Sequence, residues 1–346
     1  MLQAASLAAR RVAEAAFLRQ ALPALGLSSL AVWAVVPDRM FASSRGGGRH
    51  EGLTEEERSR AGATGGVEWR ERYNEHLANL FSLSGKTAFV TGAAQGMGAW
   101  VAMGMARCGA DVALADVGNE EKLAGVAKEI RALGRKAIEL KCDVKDHSAV
   151  ERAVQQTVDQ LGGLHILVAN AGILGKLQPA AKVSQAVWRE VMEVNVHGVY
   201  HCCRAAYPHM KAGGGGKIIL MSSIAGIRGF GAQVAYCASK GALLPLSKSL
   251  AVAWGKDNIQ VNCLLPGAIN TPFLDRARVL NTDEKVQYIM DRIPAGRLGV
   301  GEDLVGPAVF LASPASDYIT GAELVVDGGG TALPMLADQD PSSYGA

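Results

Sequence analysis

The chain has 346 residues, of which 49% are hydrophobic, so it can bury the core of one or two domains. Its formal net charge is only +2, which gives no case for binding to nucleic acid. The six cysteines include no Cys-x-x-Cys pair and no metal-ligand spacing, so we interpret them as buried reduced thiols and predict no metal site.

Residues 1–50 are predicted to be a targeting leader or a membrane-associated segment. They hold six arginines and two acidic residues, and residues 21–37 are apolar and uncharged. An arginine bias with few acids is typical of a mitochondrial presequence, and Arg39-Met40-Phe41 resembles a processing site with cleavage after Phe41. Two alternatives stay open. One is a secretory signal, and the other is a short membrane anchor at residues 21–37, although a span needs about 20 residues.

Residues 51–81 are predicted to be a linker with short helices. The glycines of residues 43–66 indicate a linker around a charged helix from Thr54 to Arg60. Residues 67–81 predict another helix, because Trp69, Tyr73, Leu77 and Leu80 recur every three or four positions. We find no chemistry in this segment.

Residues 82–332 are predicted to form one α/β domain, with a tail at 333–346. Short apolar runs alternate there with helical patterns, which indicates a parallel sheet covered on both faces. We therefore predict a single doubly wound, Rossmann-type domain with a seven-stranded parallel sheet, and expect its ligand at the carboxyl ends of the strands. The predicted strands are Thr87–Thr91, Val112–Ala115, Lys136–Leu140, His165–Val168, Ile218–Met221, Ile259–Leu264 and Glu323–Val326, and the predicted helices include Glu120–Leu133, Ser148–Leu161 and Gly241–Trp254.

A glycine-rich turn directly follows the first strand and opens a helix. Glycines at 92, 96 and 98 allow a sharp turn and let the backbone approach a pyrophosphate at the helix N-terminus. Asp116 ends the second strand, 18 residues after Gly98. A carboxylate there can accept both ribose hydroxyls of NAD and repels a 2′-phosphate.

Tyr236 and Lys240 are four residues apart, which places them on one face of a helix. An ammonium group beside a phenol stabilises the phenolate, lowers its pKa and lets it exchange protons with an alcohol or a ketone. Ser223 lies thirteen residues before Tyr236, after the apolar run of the fifth strand. These three residues predict an acid–base site.

These motifs, in this order, resemble those of the short-chain dehydrogenase/reductase family over residues 82–330. Thr91 to Gly98 matches the T-G-x-x-x-G-x-G turn of the family, and Asn170-Ala171-Gly172 matches its N-A-G. The resemblance implies that Tyr236 is the acid/base and that Lys240 lowers its pKa and holds the nicotinamide ribose. It also implies that Ser223 binds the substrate oxygen and that Asn195 holds a water linking Lys240 to solvent. Ser222 competes with Ser223, but the family spacing to the tyrosine favours Ser223.

The resemblance implies a nicotinamide cofactor, and we expect NAD rather than NADP. Relatives that prefer NADP usually carry Arg or Lys at places held here by Gln95 and Val117. Asp143 is implied to contact the adenine, and the segment from Pro266 to Thr271 to clasp the nicotinamide end. The implied cofactor contacts are Gly92, Gln95, Gly96, Met97, Gly98, Asp116, Val117, Asp143, Val144, Asn170, Ala171, Gly172, Tyr236, Lys240, Pro266, Gly267, Ile269 and Thr271.

The substrate is expected to be a small alcohol or ketone, under a flap formed by residues 271–300. Residues 79–86, 291–297 and 312–329 resemble the gluconate 5-dehydrogenases and 2-dehydro-3-deoxygluconate 5-dehydrogenases of the family, which implies a sugar acid or polyol. Pieces of the same motifs occur in its 3-oxoacyl-carrier-protein reductases, so NADPH-dependent reduction of a 3-oxoacyl thioester or another carbonyl is the alternative. A non-catalytic nucleotide-binding scaffold is a remote alternative. Lys176, Arg228 and Arg276 could meet a carboxylate, although surface charge is the default interpretation of each.

Gly241–Trp254 is apolar over more than one face, which a helix covered on one side would not need. Family members commonly pair through this helix and the helix that carries Asn195, so we expect a homotetramer or homodimer. His197 and His201 are also one helical turn apart. Without a third ligand we interpret them as packed or solvated side chains and not as a metal pair.

Overall fold

A computed structural model describes residues 79–276 and 282–332. It confirms the predicted parallel sheet of seven strands, paired in the order β3-β2-β1-β4-β5-β6-β7. The strands are β1 (Thr87–Thr91), β2 (Asp111–Asp116), β3 (Ala137–Lys141), β4 (Ile166–Ala169), β5 (Gly216–Met221), β6 (Ile259–Pro266) and β7 (Glu323–Val326).

Helices follow most of the strands in the described part of the chain. They are α1 (Gly96–Arg107), α2 (Glu120–Ala132), α3 (His147–Leu161), α4 (Gln185–Met192), α5 (Gly198–Ala212), α6 (Val234–Trp254), α7 (Pro272–Arg276), α8 (Asp283–Met290) and α9 (Glu302–Ala312). A π-helical turn, Glu193–His197, joins α4 to α5 without a break.

Both faces of the sheet are covered, which explains why its strands are apolar almost throughout. Successive side chains of a strand point to opposite faces. Val90 of β1 accordingly packs into the apolar layer beneath α1, α2 and α9, whereas the neighbouring Phe89 packs into the layer beneath α3, α5 and α6. Both side chains are fully buried.

The order of the strands reverses between β1 and β4. From β1 the chain winds outward through β2 to β3, and then returns to the other side of β1 and winds outward again through β5, β6 and β7. In open sheets of this type a crevice forms at the carboxyl ends of the strands beside the reversal.

The largest difference from the predicted elements lies in α6, which begins at Val234 and not at Gly241. Gly241 therefore lies inside the helix, where glycine usually costs stability. Close packing explains its presence, because a β-carbon there would lie 3.3 Å from the Gly226 carbonyl oxygen. The other predicted strand and helix ends agree to within two residues.

The predicted leader, the helix at residues 54–60 and most of the helix at 67–81 lie outside the described residues. Among the helices that are described, none is both long and apolar enough to cross a membrane.

All six cysteines are described, and all are free thiols. Burial raises the pKa of the Cys142 and Cys263 thiols to about 11. It raises the pKa of Cys202 and Cys203 as well. Since the thiolate is the reactive form, these four side chains act as small apolar core residues.

Candidate active site

A cleft of about 520 Å³ opens at the carboxyl ends of the strands beside the reversal. It brings together most of the residues predicted from the sequence. Fourteen of them line it: Gly92, Gln95, Gly96, Met97, Asp116, Val117, Asp143, Val144, Asn170, Ala171, Gly172, Tyr236, Lys240 and Thr271.

The other six predicted residues are not part of the lining. They are Gly98, Asn195, Ser223, Pro266, Gly267 and Ile269. Gly267 instead lies against Asp327, whose Cβ would be 2.6 Å from an added β-carbon, and Ile269 is buried and forms a bridge with Gly299. These two residues position the wall around Thr271, and their direct contact with a cofactor stays a prediction.

The glycine turn between β1 and α1 is shaped as a cradle for a phosphate. Gly92 and Gly96 have φ angles of +64° and +60°, which favour glycine. A β-carbon on Gly98 would lie 2.3 Å from the carbonyl oxygen of Gly92. The N-cap residue of α1, Gln95, provides no side-chain hydrogen bond to the first turn. The N–H groups of that turn are therefore available to an anion, so the turn fits the pyrophosphate of a dinucleotide.

Thr91 and Asn170 tie the first strand to the fourth beside this cradle. The buried Thr91 hydroxyl oxygen accepts hydrogen bonds from the N–H groups of Asn170 and Ala171, both at 3.0 Å. In return, the Asn170 amide nitrogen donates to the carbonyl oxygens of Thr91 at 2.8 Å and Gly92 at 3.2 Å. Thr91 thus fixes the distance between the phosphate cradle and the N-A-G segment.

Asp116 ends β2 at the other end of the cleft. Its carboxylate accepts hydrogen bonds from Ala94 N–H at 3.4 Å, Gly118 N–H at 3.3 Å and the Asn119 side chain at 3.4 Å. These bonds are long, so the carboxylate keeps acceptor capacity for ribose hydroxyls. This geometry fits the role predicted for Asp116, which is to accept hydrogen bonds from the ribose hydroxyls of NAD.

Tyr236 and Lys240 stand one turn apart on α6, and both are almost completely buried. The Lys240 ammonium nitrogen lies 5.8 Å from the centre of the Tyr236 ring. It donates a hydrogen bond of 2.7 Å to the carbonyl oxygen of Met221, the last residue of β5. That bond holds the ammonium at the floor of the cleft.

Burial dominates the protonation of this pair. It raises the pKa of the Tyr236 phenol to about 12, even though a hydrogen bond with Ser223 acts in the lowering direction. Burial lowers the pKa of the Lys240 ammonium to about 8. Loss of hydration by the phenolate is the largest cause of this shift and Lys240 is not among its causes, so the lowering of the Tyr236 pKa by Lys240 stays a prediction.

Asn195 lies in the π-helical turn, fully buried behind the cleft. Its Oδ1 accepts from Ile173 N–H at 2.8 Å, and its Nδ2 donates to Ile173 O at 2.8 Å and to Ser239 Oγ at 2.9 Å. Both amide hydrogens are therefore used. A water held by Asn195, as predicted, would have to donate a hydrogen bond to an oxygen atom of this residue.

The two serines at the end of β5 have different partners. Ser222 Oγ is buried and donates to the carbonyl oxygen of Lys240 at 2.9 Å, so it supports the helix backbone. Ser223 Oγ accepts from Ala225 N–H at 3.1 Å and forms a hydrogen bond with the Tyr236 side chain. Ser222 lines the cleft and Ser223 does not, so the choice of Ser223 as the serine that binds the substrate oxygen stays a prediction.

The substrate side of the cleft is mostly apolar in the described residues. Ile173, Leu174 and Phe273 line it, and the Phe273 ring centre lies 6.1 Å from that of Tyr236. Glu190 of α4 adds one carboxylate. The flap predicted over this side includes α7 and α8, with residues 277–281 outside the described ranges.

Of the three cations considered for a substrate carboxylate, Lys176 and Arg228 do not line this cleft. The Arg228 guanidinium donates to the carbonyl oxygen of Thr331 at 2.7 Å, and the Lys176 side chain is exposed. The Arg276 side chain lies outside the described residues. The flap ends at a bidentate ion pair, in which Arg297 donates to Asp303 at 2.7 and 2.8 Å.

The two histidines that the sequence places one helical turn apart have different hydrogen-bond partners. His197 Nδ1 lies 3.1 Å from Glu193 Oε2, and His201 Nδ1 lies 2.9 Å from the Val144 carbonyl oxygen. Within the described ranges, no group of three or more His, Cys, Asp or Glu side chains is placed to hold a metal ion.

Sequence reasoning missed Ser239, although it lies inside the motif Tyr236-Cys237-Ala238-Ser239-Lys240. Its fully buried Oγ donates to Tyr236 O at 2.8 Å and accepts from Asn195 Nδ2. The available signal was its position, one residue before the lysine and three after the tyrosine, which is the inward side of the helix.

Known proteins share both the sequence and the fold. The profile of a family described as enoyl-(acyl carrier protein) reductase matches residues 92–331. The chain is 37% identical to a 2-dehydro-3-deoxy-D-gluconate 5-dehydrogenase of Dickeya dadantii, over 73% of this chain and 98% of that protein. It is 40% identical to an L-rhamnose 1-dehydrogenase (NAD(P)(+)) of a Sphingomonas species, over 71% of this chain and 96% of that protein.

A solved structure of a named dehydrogenase has the same fold as this chain. The gluconate 5-dehydrogenase of Burkholderia cenocepacia, in complex with NADP and tartrate, superposes with a TM-score of 0.71 at 35% identity. The match covers 75% of this chain and all of that one. Because the profile covers most of the chain and relatives above 30% identity align over nearly their whole length, the chain belongs to the short-chain dehydrogenase/reductase family and is an oxidoreductase that acts on the CH–OH group of a small molecule.

Proposed function

We propose that this enzyme uses NAD(H) in preference to NADP(H) and interconverts a secondary alcohol and a ketone on a sugar acid or related polyol. The observation that carries the proposal is the buried Tyr236 phenol, which faces the same cleft as Lys240 and the glycine cradle. A phenol that exchanges a proton at the site where a dinucleotide would bind is the arrangement that carbonyl chemistry needs.

Each residue of the site has a separate role in proton transfer. In alcohol oxidation, Tyr236 takes the hydroxyl proton of the substrate, while the Ser223 hydroxyl donates a hydrogen bond to the same oxygen. A nicotinamide cofactor would supply the hydride acceptor. Lys240 stabilises the phenolate while Tyr236 is ionised, and Asn195 and Ser239 hold the backbone on which Tyr236 is carried. Reduction of the ketone runs through the same groups in reverse.

Two observations support a polyhydroxylated substrate. The relatives named above act, by their names, on a deoxygluconate, on rhamnose and on gluconate. In addition, Glu190 places a carboxylate on the cleft, and a carboxylate accepts hydrogen bonds from hydroxyl groups. The apolar side chains beside it leave room for the carbon skeleton.

Turnover by the purified full-length protein tests the function. NADH formation would be followed at alkaline pH with gluconate, L-rhamnose and simple cyclic alcohols, and NAD(P)H consumption with 2-dehydro-3-deoxygluconate and an acetoacetyl thioester. We expect turnover with at least one sugar or sugar acid. A preference for the thioester with NADPH would support the 3-oxoacyl alternative instead. Cofactor binding without turnover across the panel would support the scaffold alternative.

Preference for NAD(H) is supported by Asp116 and by the neutral Gln95 and Val117 beside it. Loss of a charged hydrogen bond of this kind changes binding by about 1.5–3 kcal/mol. Asp116→Ala is therefore expected to narrow the ratio of kcat/KM for NAD to that for NADP, or to invert it. A wild-type enzyme with higher kcat/KM for NADPH than for NADH would refute the preference.

We also propose a homo-oligomer, a tetramer or a dimer, assembled through α5 and α6. Val252 of α6 is 85% exposed and Tyr200 of α5 is 44% exposed, so both helices present large apolar side chains outward. Light scattering at micromolar concentration should give the mass of two or four chains. A monomeric mass would contradict the proposal.

Finally, we propose that residues 1–41 direct the chain to mitochondria and are dispensable for catalysis. The support is the arginine bias of the segment, and every candidate catalytic residue lies far beyond it. A fusion of residues 1–50 to a fluorescent protein tests this. Import with cleavage near Phe41 supports a presequence, carbonate-resistant retention supports a membrane anchor, and entry into the secretory route contradicts both.

A further inference from the structure

We propose that His201 of α5 is a positioning residue for the cofactor, and that it fixes the wall of the cleft against which the adenosine end of a dinucleotide would lie. This inference rests on the proposed nicotinamide-dependent function. It gives a role to a residue that the sequence indicates only as a packed or solvated side chain. His201 does not line the cleft in the described structure and would act through Val144, which does.

The wall in question is formed by residues 142–145, which directly follow β3 and line the cleft. The start of this segment is joined to the sheet, because Cys142 N–H donates a hydrogen bond of 2.9 Å to the carbonyl oxygen of Asp116. The Asp143 carboxylate accepts a hydrogen bond of 3.0 Å from Lys145 N–H, which closes a local turn. Val144 lies inside that turn, so its position depends on what packs against it from outside the sheet.

Helix α5 contacts Val144 at two places. His201 Nδ1 lies 2.9 Å from the carbonyl oxygen of Val144, and since a carbonyl oxygen only accepts, Nδ1 carries the hydrogen and donates it. One turn earlier, a β-carbon on Gly198 would lie 2.6 Å from Val144 Cγ2, so the helix backbone approaches that side chain closely. Positions three residues apart share one face of a helix. The same face of α5 therefore holds both the backbone and the side chain of Val144.

The imidazole ring of His201 is itself held in place. His147, the first residue of α3, stacks on it with ring centres 5.2 Å apart and ring planes 21° apart. His147 Nε2 in turn lies 3.2 Å from Glu151 Oε1. A ring that is already oriented loses little rotamer freedom when its N–H donates a hydrogen bond. The stack thus makes His201 a fixed donor to the wall segment.

Loss of this donor should weaken cofactor binding and leave the chemistry unchanged. Without it, the wall segment would populate arrangements that do not match the nucleotide, and the apparent dissociation constant would rise in proportion to the competent fraction that is lost. The groups that transfer the proton, Tyr236 and Lys240, lie on α6 and make no hydrogen bond to His201. Affinity and turnover should therefore respond differently.

Calorimetric titration with 5′-AMP tests this role without turnover. His201→Phe keeps a ring to stack on His147 but has no donor, and it should weaken 5′-AMP by about three- to tenfold, the effect of one hydrogen bond. His201→Asn carries an amide nitrogen the same number of bonds from the backbone as Nδ1, and it should bind within about twofold of the wild type. His197→Phe is the matched control one turn earlier. His197 Nδ1 lies 3.1 Å from Glu193 Oε2, so this variant should leave the constant unchanged.

Kinetics separate positioning from a general loss of stability. In His201→Phe, KM for NAD should rise by the same factor as the dissociation constant of 5′-AMP, while kcat at saturating NAD stays within about twofold of the wild type. A comparable fall in kcat would show that the substitution acts through the fold as a whole. Should His201→Phe not fold, His201→Leu takes its place, because leucine is smaller and also lacks a donor.

The remaining outcomes are separable from those of the proposed function. Equal affinity for 5′-AMP in the wild type and in His201→Phe would overturn the role of His201. So would an equal loss in His201→Asn, because the loss would then follow the ring and not the donor. A wild type without affinity for 5′-AMP would overturn it as well. A wild type that binds 5′-AMP but turns over no alcohol or ketone would overturn the proposed function and leave the comparison of variants valid.

Discussion

Asn195 donates a hydrogen bond of 2.9 Å to Ser239, and this bond fastens the π-helical turn to the helix that carries Tyr236, the proposed acid–base residue. The Ser239 hydroxyl in turn donates a hydrogen bond of 2.8 Å to the carbonyl oxygen of Tyr236. The position of the phenol therefore depends on a buried residue that does not itself line the cleft.

Ser239→Ala removes this link and leaves one Asn195 amide hydrogen without its partner. We expect a loss of about 1–3 kcal/mol of unfolding free energy, as for a buried group left unsatisfied. Because Tyr236 loses its fixed position, we also expect kcat to fall by about tenfold, as when a catalytic group is misplaced. Denaturant unfolding and steady-state kinetics measure the two effects.

Ser247→Ala is the matched control for this prediction. Ser247 lies on the same helix, is fully buried, and donates to the carbonyl oxygen three residues before it at 2.8 Å, as Ser239 does. The hydrogen bonds of Asn195 go to Ile173 and Ser239 and not to Ser247. A similar loss of stability with unchanged kcat is expected, and a comparable fall in kcat in both variants would show that Ser239 acts only through stability.

Gly98→Ala should impair the phosphate cradle. The added β-carbon would meet the Gly92 carbonyl oxygen at 2.3 Å and Asn170 Nδ2 at 2.5 Å, and neither can move without shifting the backbone of the turn. We expect a loss of about 1–3 kcal/mol of stability, typical of overpacking, together with weaker binding of NADH in a fluorescence titration.

Gly125→Ala provides the contrast to Gly98→Ala. Gly125 lies inside α2, and an added β-carbon there would meet no atom within 4 Å. Alanine favours a helix interior over glycine by about 0.5–1 kcal/mol. This variant should therefore be more stable than the wild type and bind NADH normally. A stabilised Gly98→Ala protein with normal NADH binding would contradict the assigned cradle.

Tyr236→Phe should abolish turnover and leave NADH binding nearly unchanged, because it deletes only the oxygen that transfers the proton. Positioned acid–base groups typically contribute about 10²–10⁴-fold to the rate. A variant that kept more than about a tenth of the wild-type kcat would require another residue to be the acid.

Lys240→Met should stabilise the cofactor-free protein at neutral pH. Burial lowers the pKa of Lys240 from 10.5 to about 8, so folding is penalised wherever the unfolded chain holds this proton. The full penalty applies below about pH 8, shrinks as pH rises from 8 to 10.5, and vanishes above that range. We expect the variant to gain roughly 1–3 kcal/mol below pH 8, less than the whole shift implies, because the bond to Met221 is lost.

The pH dependence of the difference between Lys240→Met and wild type is the critical measurement. Other groups also titrate above pH 9, since burial raises the pKa of Tyr236 and of several cysteines. The contribution of a group that does not interact with Lys240, such as Cys142, is common to both proteins and cancels in the difference, whereas Cys263, whose pKa Lys240 lowers, adds a smaller contribution of its own. A gain that stayed constant from pH 7 to 10.5 would have an origin other than the charge of Lys240.

The parts of the structure that depend on neighbours along the chain could be predicted from the sequence. The first strand was predicted with the same ends that the structure shows, because its apolar run is bounded by charged and glycine residues. Tyr236 and Lys240 lie on one face of α6 because a spacing of four leaves no other arrangement in a helix.

The parts that depend on packing could not be predicted in this way. Ser239 meets Asn195 across 44 residues, and Lys122 meets Gln95 across 27, and no spacing rule relates such positions. The pKa of Tyr236 rises because the phenol is buried, whereas the motif alone indicates only the adjacent ammonium. The start of α6 was predicted too late, at Gly241. The close contact with Gly226 that explains a glycine inside this helix forms only in the folded structure, so the sequence alone does not show it.

The strand order also bears on how the protein is made. Both sheet neighbours of β1 are complete by Ala169, so the cradle, Asp116 and Asn170 can come together while later residues are still being synthesised. Ser223, Tyr236 and Lys240 all follow Met221, in the segment that joins the sheet afterwards. Because a domain generally folds as a unit, binding of a nucleotide by a nascent chain that ends just beyond Ala169 would show that this half of the sheet folds before the residues that perform chemistry have been synthesised.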